Sequence, residues 1–342
     1  MSETAVVILN WNGKNFLQQF LPNIINYTTI QDTRIIIADN HSTDDSIAFL
    51  NQHFPTLELI RLDKNYGFAG GYNQALHQVK AKYYVLLNSD IEVTEGWLKP
   101  LIELMDSDEK IAACQPKIKA FDHKQTFEYA GASGGFIDKY GYPFCRGRIL
   151  DTLEKDNGQY NDVREIFWAT GACMVVRANL FHQVGGFDDD FFAHMEEIDL
   201  CWRLKNSGYK IVVQPASEVF HVGGGTLPAS PFKLYLNYRN NLFLLYKNLP
   251  KGKLLRTLFP RMIFDGLSAM IYLLKFSFRN FTAVGKAHIH FYQSLRKLRA
   301  KRKIIQPTSS VKDHREIFQE SIVINYFFRK KKKFSQLKKL DG

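Results

Sequence analysis

The chain has 342 residues, is 45% hydrophobic and carries a formal net charge of +11. That length holds one large domain plus an appendage, or two domains, and the four scattered cysteines (Cys114, Cys145, Cys173, Cys201) contain no CxxC pair to suggest a zinc site or a disulfide framework. Charge is uneven: residues 1–250 contain 23 Lys and Arg against 29 Asp and Glu, residues 251–342 contain 22 against 5, and a basic excess confined to the last quarter points to an acidic partner there.

The chain runs from Met1-Ser-Glu-Thr4 directly into Ala5-Val-Val-Ile-Leu9. With no basic leader and no long apolar segment, no signal peptide is expected, and a reducing, cytoplasmic setting fits. Short apolar runs predict strands over 5–10, 34–39, 57–62, 82–87 and 111–118, and helical patterns lie between them over 46–53 and 69–81. This alternation implies βα units: an α/β, Rossmann-like, mostly parallel sheet flanked by helices. A Gly-, Asp- and Lys-rich stretch over 121–165 is expected to form a flap or a small inserted hairpin. Regular pattern returns as a strand over 172–177, a helix over 195–206 and a strand over 210–214.

From about residue 231 aromatic-rich helical patterns dominate, over 234–248, 254–278 and 287–303. The most apolar run, 262–274, is too short to span a bilayer, which takes about 20 residues. Basic residues flank it, so it reads as a helix lying in a membrane interface or as a core helix with basic ends. The tail Phe327-Phe-Arg-Lys-Lys-Lys-Lys-Phe334 suits anionic headgroups, or is a solvated terminus.

Polar groups cluster at predicted strand ends. Leu86-Leu-Asn-Ser-Asp90 places Asn88, Ser89 and Asp90 at a carboxyl edge, where open α/β sheets bind ligands. Asp90 is a plausible divalent-metal ligand there, although Asn, Ser and Asp also form turns. Asn10 and Trp11 stand at the end of the first strand, as a base pocket or a Gly turn; Asp39 ends the second, and capping explains Asp44 but not Asp39. Asn65-Tyr-Gly-Phe-Ala-Gly-Gly-Tyr-Asn73 opens a helix with three glycines, which would let backbone approach a diphosphate. Glu196, Glu197 and Asp199 crowd a helix start, as dipole partners or as a source of a general base. His221 precedes the glycine run 223–225 and suits a metal or phosphate role.

Taken in order, Val6-Val-Ile-Leu-Asn-Trp-Asn-Gly13, Asp39-Asn-His-Ser-Thr-Asp44, 65–73, 86–93, Gly185-Gly-Phe-Asp188 with Glu196-Glu-Ile-Asp-Leu-Cys-Trp-Arg203, and His221-Val-Gly-Gly-Gly-Thr226 resemble the motifs of family 2 glycosyltransferases with the GT-A fold. The likeness is strongest to bacterial rhamnosyltransferase-like enzymes of surface-polysaccharide synthesis. It implies a glycosyltransferase domain over 1–230, with a nucleotide-binding half over about 1–120 and an acceptor half over 121–230, followed by a helical basic extension over 231–342. Asp39 would read the pyrimidine of a nucleoside-diphosphate sugar, beside Asn10 and Trp11. Asp44, Asn65, Gly67, Asn73, Asn88 and Ser89 would complete that pocket. Asp90 and His221 would hold Mg²⁺ or Mn²⁺ on the diphosphate. Glu197, or its neighbour Glu196, would be the base of an inverting transfer, and Trp168, Thr170, Gly171 and Asp199 would face a glycan or lipid-linked acceptor. The basic extension would hold the enzyme to the inner face of the plasma membrane. The rival readings are a sugar nucleotidyltransferase, which lacks its basic Gly-rich loop here, and a catalytically silent nucleotide-sugar-binding scaffold. No nucleic-acid-binding module is present.

Overall fold

The computed structural model describes residues 2–223 and 230–337. β1 (Ser2–Asn10) lies mid-sheet, and Ala5, Val6, Val7 and Ile8 are fully buried. A strand covered on both faces needs an unbroken apolar run, and Ala5-Val-Val-Ile-Leu9 supplies one. Alternation divides it: Ala5 and Val7 enter one apolar cluster, Val6 and Ile8 the other.

The first half is built of βα units: α1 (Lys14–Tyr27), β2 (Thr33–Asp39), α2 (Ser46–His53), β3 (Glu58–Arg61), α3 (Gly67–Leu76), β4 (Ala81–Asn88), β5 (Ile91–Val93), α4 (Lys99–Ser107) and β6 (Ile111–Ala120). β1 pairs in parallel with both β2 and β4, and β2 with β3. The chain moves outward from β1 to β3 and then returns to β4 on the other side. That reversal opens a crevice at the strands' carboxyl ends. Register aligns Asn10 with Asp39 and Leu9 with Asn88, so these polar ends share one edge.

The segment expected to be a flap or a small inserted hairpin forms four short strands, paired antiparallel in chain order: β7 (Gly135–Asp138), β8 (Pro143–Cys145), β9 (Arg148–Ile149) and β10 (Thr152–Leu153). β11 (Arg164–Ile166), β12 (Cys173–Arg177), α5 (Ala178–Gln183), α6 (Glu196–Asn206) and β13 (Lys210–His221) complete the α/β body. The main sheet runs β11-β13-β6-β12-β4-β1-β2-β3, with β5 beside β13. β12 is antiparallel to both β4 and β6. β13 extends seven residues beyond the predicted strand: its register slips between Gln214 and Glu218, around Pro215, and then resumes. A bulge absorbs the proline that otherwise would end the strand.

The rest is α7 (Pro231–Asn248), α8 (Lys251–Leu274), α9 (Phe278–Gln293), α10 (Leu295–Thr308), β14 (Ile317–Phe318) and α11 (Ile322–Phe327). A break at Ser294 divides the helix expected over 287–303. β14 adds in parallel to β7, giving a second sheet of order β10-β9-β8-β7-β14. Phe334 packs its ring against Phe136, Phe144 and Tyr160.

Candidate active site

A cavity of ≈ 340 Å³ lies over the carboxyl ends of β1 and β4, and is closed by the start of α6 and the start of α7. Trp11, Asn65, Gly67, Asn88, Ser89, Asp90, Thr170, Gly171, Glu196, Glu197 and His221 all line it.

His221 meets Asp90 through strand pairing. β13 runs antiparallel to β5 with His221 opposite Ile91, and Val222 N donates to Asp90 O at 3.1 Å. The imidazole lies between two carboxylates, Nε2 3.2 Å from Asp90 Oδ1 and Nδ1 3.4 Å from Glu128 Oε1. Burial alone would lower its pKa, but Glu128 and Asp90 together raise it to about 10. Asp90 Oδ1 and His221 Nδ1 are nevertheless buried without a hydrogen bond. Glu128 fixes which ring nitrogen faces Asp90, the part played by carboxylates behind metal-ligating histidines. Residues 224–226 of the His221–Thr226 motif lie outside the described residues.

Across the cavity, α6 opens on the acidic pair. Burial, and then the neighbouring Glu197 charge, raises the Glu196 pKa well above the ordinary carboxylate range. Burial raises Glu197 to about 7. Glu196 Oε2, Glu197 Oε2 and His194 Nε2 are further buried atoms without a hydrogen-bond partner. Burial lowers His194 to about 4, so it is a neutral imidazole near pH 7. Unsatisfied buried polar atoms are costly, and their concentration around one cavity marks a place built for a polar ligand.

The segment leading into α6 is strained. Phe192, His194 and Met195 have φ of 63°, 69° and 72°, a region bulky residues avoid. Three neighbours hold it. Asn240 Nδ2 lies 2.8–2.9 Å from the carbonyls of Phe191, Ala193 and His194. Arg239 donates to the carbonyls of Asp190 and Phe191. The amides of Phe68 and Ala69, opening α3, donate to Phe192 O at 2.8 and 3.2 Å. The amides of Phe68 and Ala69, expected to approach a diphosphate, thus have Phe192 O as their acceptor, while Asn65, Gly67 and Phe68 still line the cavity. Gly67 is required for the same approach: its φ is +71°, and a Cβ there would lie 2.5 Å from the Phe192 ring.

Several expected site residues do not line the cavity. Asn10 and Asp39 are buried against each other, Nδ2 to Oδ1 at 3.1 Å, and Ser42 N donates to the second Asp39 oxygen. Asp44 accepts from the amides of Lys14 and Ser46 at the α1 and α2 N-termini. Asn73 bonds both backbone groups of Phe187 and the Asp189 carboxylate. Trp168 is buried, with Nε1 donating to Phe136 O. Asp199 is paired with Arg203 and Lys247. Each has structural partners, which a linear motif does not display, although Asn10 Oδ1 is buried without a hydrogen bond. The lining also includes Asn40, Phe192, His194, Phe232 and Lys233, and Glu128 stands behind His221. Of these, only Asn40 lay inside a motif at a strand end; the others come from loops and from α7, which no strand-end pattern marks.

A family model described as glycosyl transferase family 2 matches residues 5–185, more than half of the chain. The chain belongs to glycosyl transferase family 2. Among curated relatives of this glycosyltransferase, the N-acetylglucosaminyl-diphospho-decaprenol L-rhamnosyltransferase of Mycobacterium tuberculosis is 25% identical over 230 residues, 63% of this chain and 75% of that protein. Rhamnosyltransferase WbbL of Escherichia coli is 27% identical over 225 residues, 63% of this chain and 82% of that one. Among solved structures, GalNAc-T7 with UDP, GalNAc and Mn²⁺ superposes with a TM-score of 0.57 at 15% identity, over 72% of this chain and about half (48%) of that one. S. aureus TarS 1–349 gives 0.55 at 14% identity, over 90% and 86%. The architecture of this glycosyltransferase is the GT-A fold.

Proposed function

We propose that this glycosyltransferase moves a sugar from a nucleoside-diphosphate sugar to a hydroxyl of a glycan or lipid-linked acceptor, with inversion, in cell-surface polysaccharide synthesis. dTDP-rhamnose or a UDP-sugar is the donor, a reading supported by the likeness to two rhamnosyltransferases. One observation carries the reading: five buried polar atoms without hydrogen bonds, on Asp90, His194, Glu196, Glu197 and His221, belong to residues lining one cavity beside the exposed Trp11 ring.

Asp90 and His221 fit a divalent cation. A carboxylate oxygen and an imidazole nitrogen converge there 3.2 Å apart; without a cation the imidazole holds its proton, and a bound Mg²⁺ or Mn²⁺ would take that proton's place between the two donors. Among the described residues no group of three His, Cys, Asp or Glu side chains is placed to hold a metal ion, so diphosphate and water would supply the remaining ligands. When bound, the cation supplies charge neutralisation of the leaving diphosphate. Trp11 offers a stacking face to the base, and Asn65, Asn88 and Ser89 offer hydrogen bonds to ribose and phosphate.

Glu197 takes the proton of the acceptor hydroxyl. The freed oxygen forms a bond to the anomeric carbon from the face opposite the diphosphate. The carbon–oxygen bond to phosphate breaks, and the nucleoside diphosphate leaves with its electron pair. Glu196, held protonated by burial and by Glu197, adds no second negative charge beside the attacking oxygen. Phe192 and Phe232 narrow the water's access to the reacting carbon.

The test is nucleotide-sugar binding and turnover by the full chain, with dTDP-rhamnose and a panel of UDP-sugars, each with Mn²⁺ and with chelator. A metal-dependent thermal shift with one donor, and release of its nucleoside diphosphate when a polyprenyl-linked glycan is added, is the expected result. A shift with a donor but no nucleotide release with any acceptor would establish a silent nucleotide-sugar-binding protein instead.

A further inference from the structure

α8 presents one continuous apolar face to solvent. Leu255, Phe259, Ile263, Leu267, Met270, Ile271 and Leu274 recur at helical spacing, and all are at least half exposed, up to 78% for Leu255. Phe276 and Phe278 extend the face into the turn to α9, exposed by 79% and 58%. Phe276 has φ of 55°, a helix-end conformation usually left to Gly or Asn. The chain thus holds a bulky aromatic outward in an unfavourable backbone state.

The charges on this helix are sorted as strictly as its apolar groups. Its single acid, Asp265, is fully buried against Arg261 and His288. Lys251, Lys253 (paired with Asp313) and Arg256 lie exposed at one end, and Lys275, with Arg279 at the start of α9, lies exposed at the other. Between Arg256 and Lys275 the exposed positions are apolar or glycine. An uncharged exposed face about 25 Å long therefore sits between two basic ends.

We infer that α8 lies in the plane of an anionic lipid bilayer, with Leu255, Phe259, Ile263, Leu267, Met270 and Leu274 among the acyl chains and the basic ends on the headgroups. The 24-residue helix is long and apolar enough by composition to cross a membrane. Its other face excludes that, because Arg261 donates to Asn241 on α7 and stacks 3.9 Å from the Tyr142 ring, tying the helix's middle to the folded body. An apolar stripe outside and anchored polar groups inside define an interfacial helix. Charge decides against a second copy of this chain: a parallel or an antiparallel pairing of this face sets basic end against basic end. An anionic leaflet meets both ends with opposite charge, each Lys or Arg strengthening attraction. The inference concerns a binding surface and stands or falls apart from glycosyl transfer.

The experiment is flotation of the full-length protein with vesicles of phosphatidylcholine alone or mixed with phosphatidylglycerol, with molecular mass followed by light scattering. The Phe259→Ser, Ile263→Ser, Leu267→Ser triple variant removes exposed groups only, so it should keep the parent's melting temperature. Wild type is expected to float with the mixed vesicles, less with the neutral ones, and the triple variant's partition is expected to fall at least a hundredfold. Retained floatation by a folded triple variant would overturn the inference. So would a wild type that stays in the supernatant with both vesicles, or a wild-type dimer that the triple variant makes monomeric without any vesicle binding. A second variant, Lys330, Lys331, Lys332 and Lys333 all to Gln, separates the tail's contribution: loss of binding here with none in the triple variant would assign the membrane contact to the tail and refute α8.

Discussion

At the scale of single residues, the acidic pair opening α6 has divided properties. Both carboxylates are buried, yet only Glu196 is pushed well above the usual range by its neighbour's charge as well as by burial, while burial alone takes Glu197 to about 7. The first proton to leave as pH rises therefore comes from Glu197, and the ionised form is the base. Its activity must rise with pH through about 7 and level above it, since a base works only after losing its proton. A kcat/KM profile in the absence of added pH-dependent inhibitors checks the sign; a profile flat from pH 5 to 8 would remove Glu197 from the role. Glu197→Gln should lower kcat by about 10²–10⁴-fold with donor affinity nearly unchanged. Glu196→Gln copies the protonated form already present and should cost less than about tenfold. Equal losses in the two variants would mean that the assignment within the pair is wrong. Opposite them, Asp90→Ala removes the carboxylate whose Oδ1 points at His221 without a hydrogen bond. Titration calorimetry should then show nucleotide-sugar binding that no longer strengthens on addition of Mn²⁺; an unchanged Mn²⁺ response would place the cation elsewhere.

At the scale of elements, the segment between α5 and α6 depends on helices on both sides. Asn240, fully buried on α7, supplies one amide nitrogen to three carbonyls, and Phe192 O takes two amides at the start of α3. Asn240→Leu leaves those carbonyls unpaired at about 1–3 kcal/mol, so the melting temperature should fall by several degrees. The loss that separates positioning from mere stability is kinetic: kcat should drop while the donor's KM holds, and the acid limb of the pH profile should move as Glu197 loses its setting. A variant that melts lower with kcat and pH profile intact would reduce Asn240 to a structural clamp. This clamp was not legible in the sequence, because Asn240 sits in an ordinary helical pattern more than forty residues from its partners. The parallel β1–β4 core was legible, because strands buried on both faces require unbroken apolar runs bounded by polar ends. Asp90 and His221 stood out for the same reason, each ending such a run. The glycines at 67, 70 and 71 mark a crowded place, but their pattern cannot say what comes close: at Gly67 it is the Phe192 segment, and at Gly71 the side chains of Asn40 and Leu9. β7–β10 escaped because strands of two to four residues have no measurable period, and the fifth strand, β14, lies 180 residues from its partner in β7.

At the scale of the whole molecule, the charge asymmetry has an internal answer as well as an external one. Lys247 pairs with Asp188 and Asp199, and Lys301 of α10 pairs with Asp188 and Asp190. Against the cost of burial, Lys247 and Lys301 hold Asp188 far below the ordinary carboxylate range. The basic end of the chain thus helps to neutralise the acidic segment that leads into α6, while α8 and the tail carry further exposed basic groups, of which Lys253 pairs with Asp313 and Arg329 with Glu320. The same region completes the smaller sheet: Ile322 N donates to Asp138 Oδ2 at 2.8 Å and Phe334 N donates to the buried Glu154 carboxylate at 2.9 Å. A chain ending at residue 250 would leave the edge of β7 bare, Asp138 and Glu154 without these donors, and Asp188 without Lys301. It would also lose Arg261 from Asn241, and the ring of Phe334 from between Phe136, Phe144 and Tyr160. Several buried groups unpaired at about 1–3 kcal/mol each exceed what a domain of ordinary stability tolerates. Residues 1–250 alone should therefore aggregate or unfold without a cooperative transition, and limited proteolysis should cut between residues 121 and 165 and again between 188 and 195. A soluble 1–250 chain that melts cooperatively and still binds a nucleotide sugar would show instead that the α/β body stands alone and that the last quarter serves only the surface it docks.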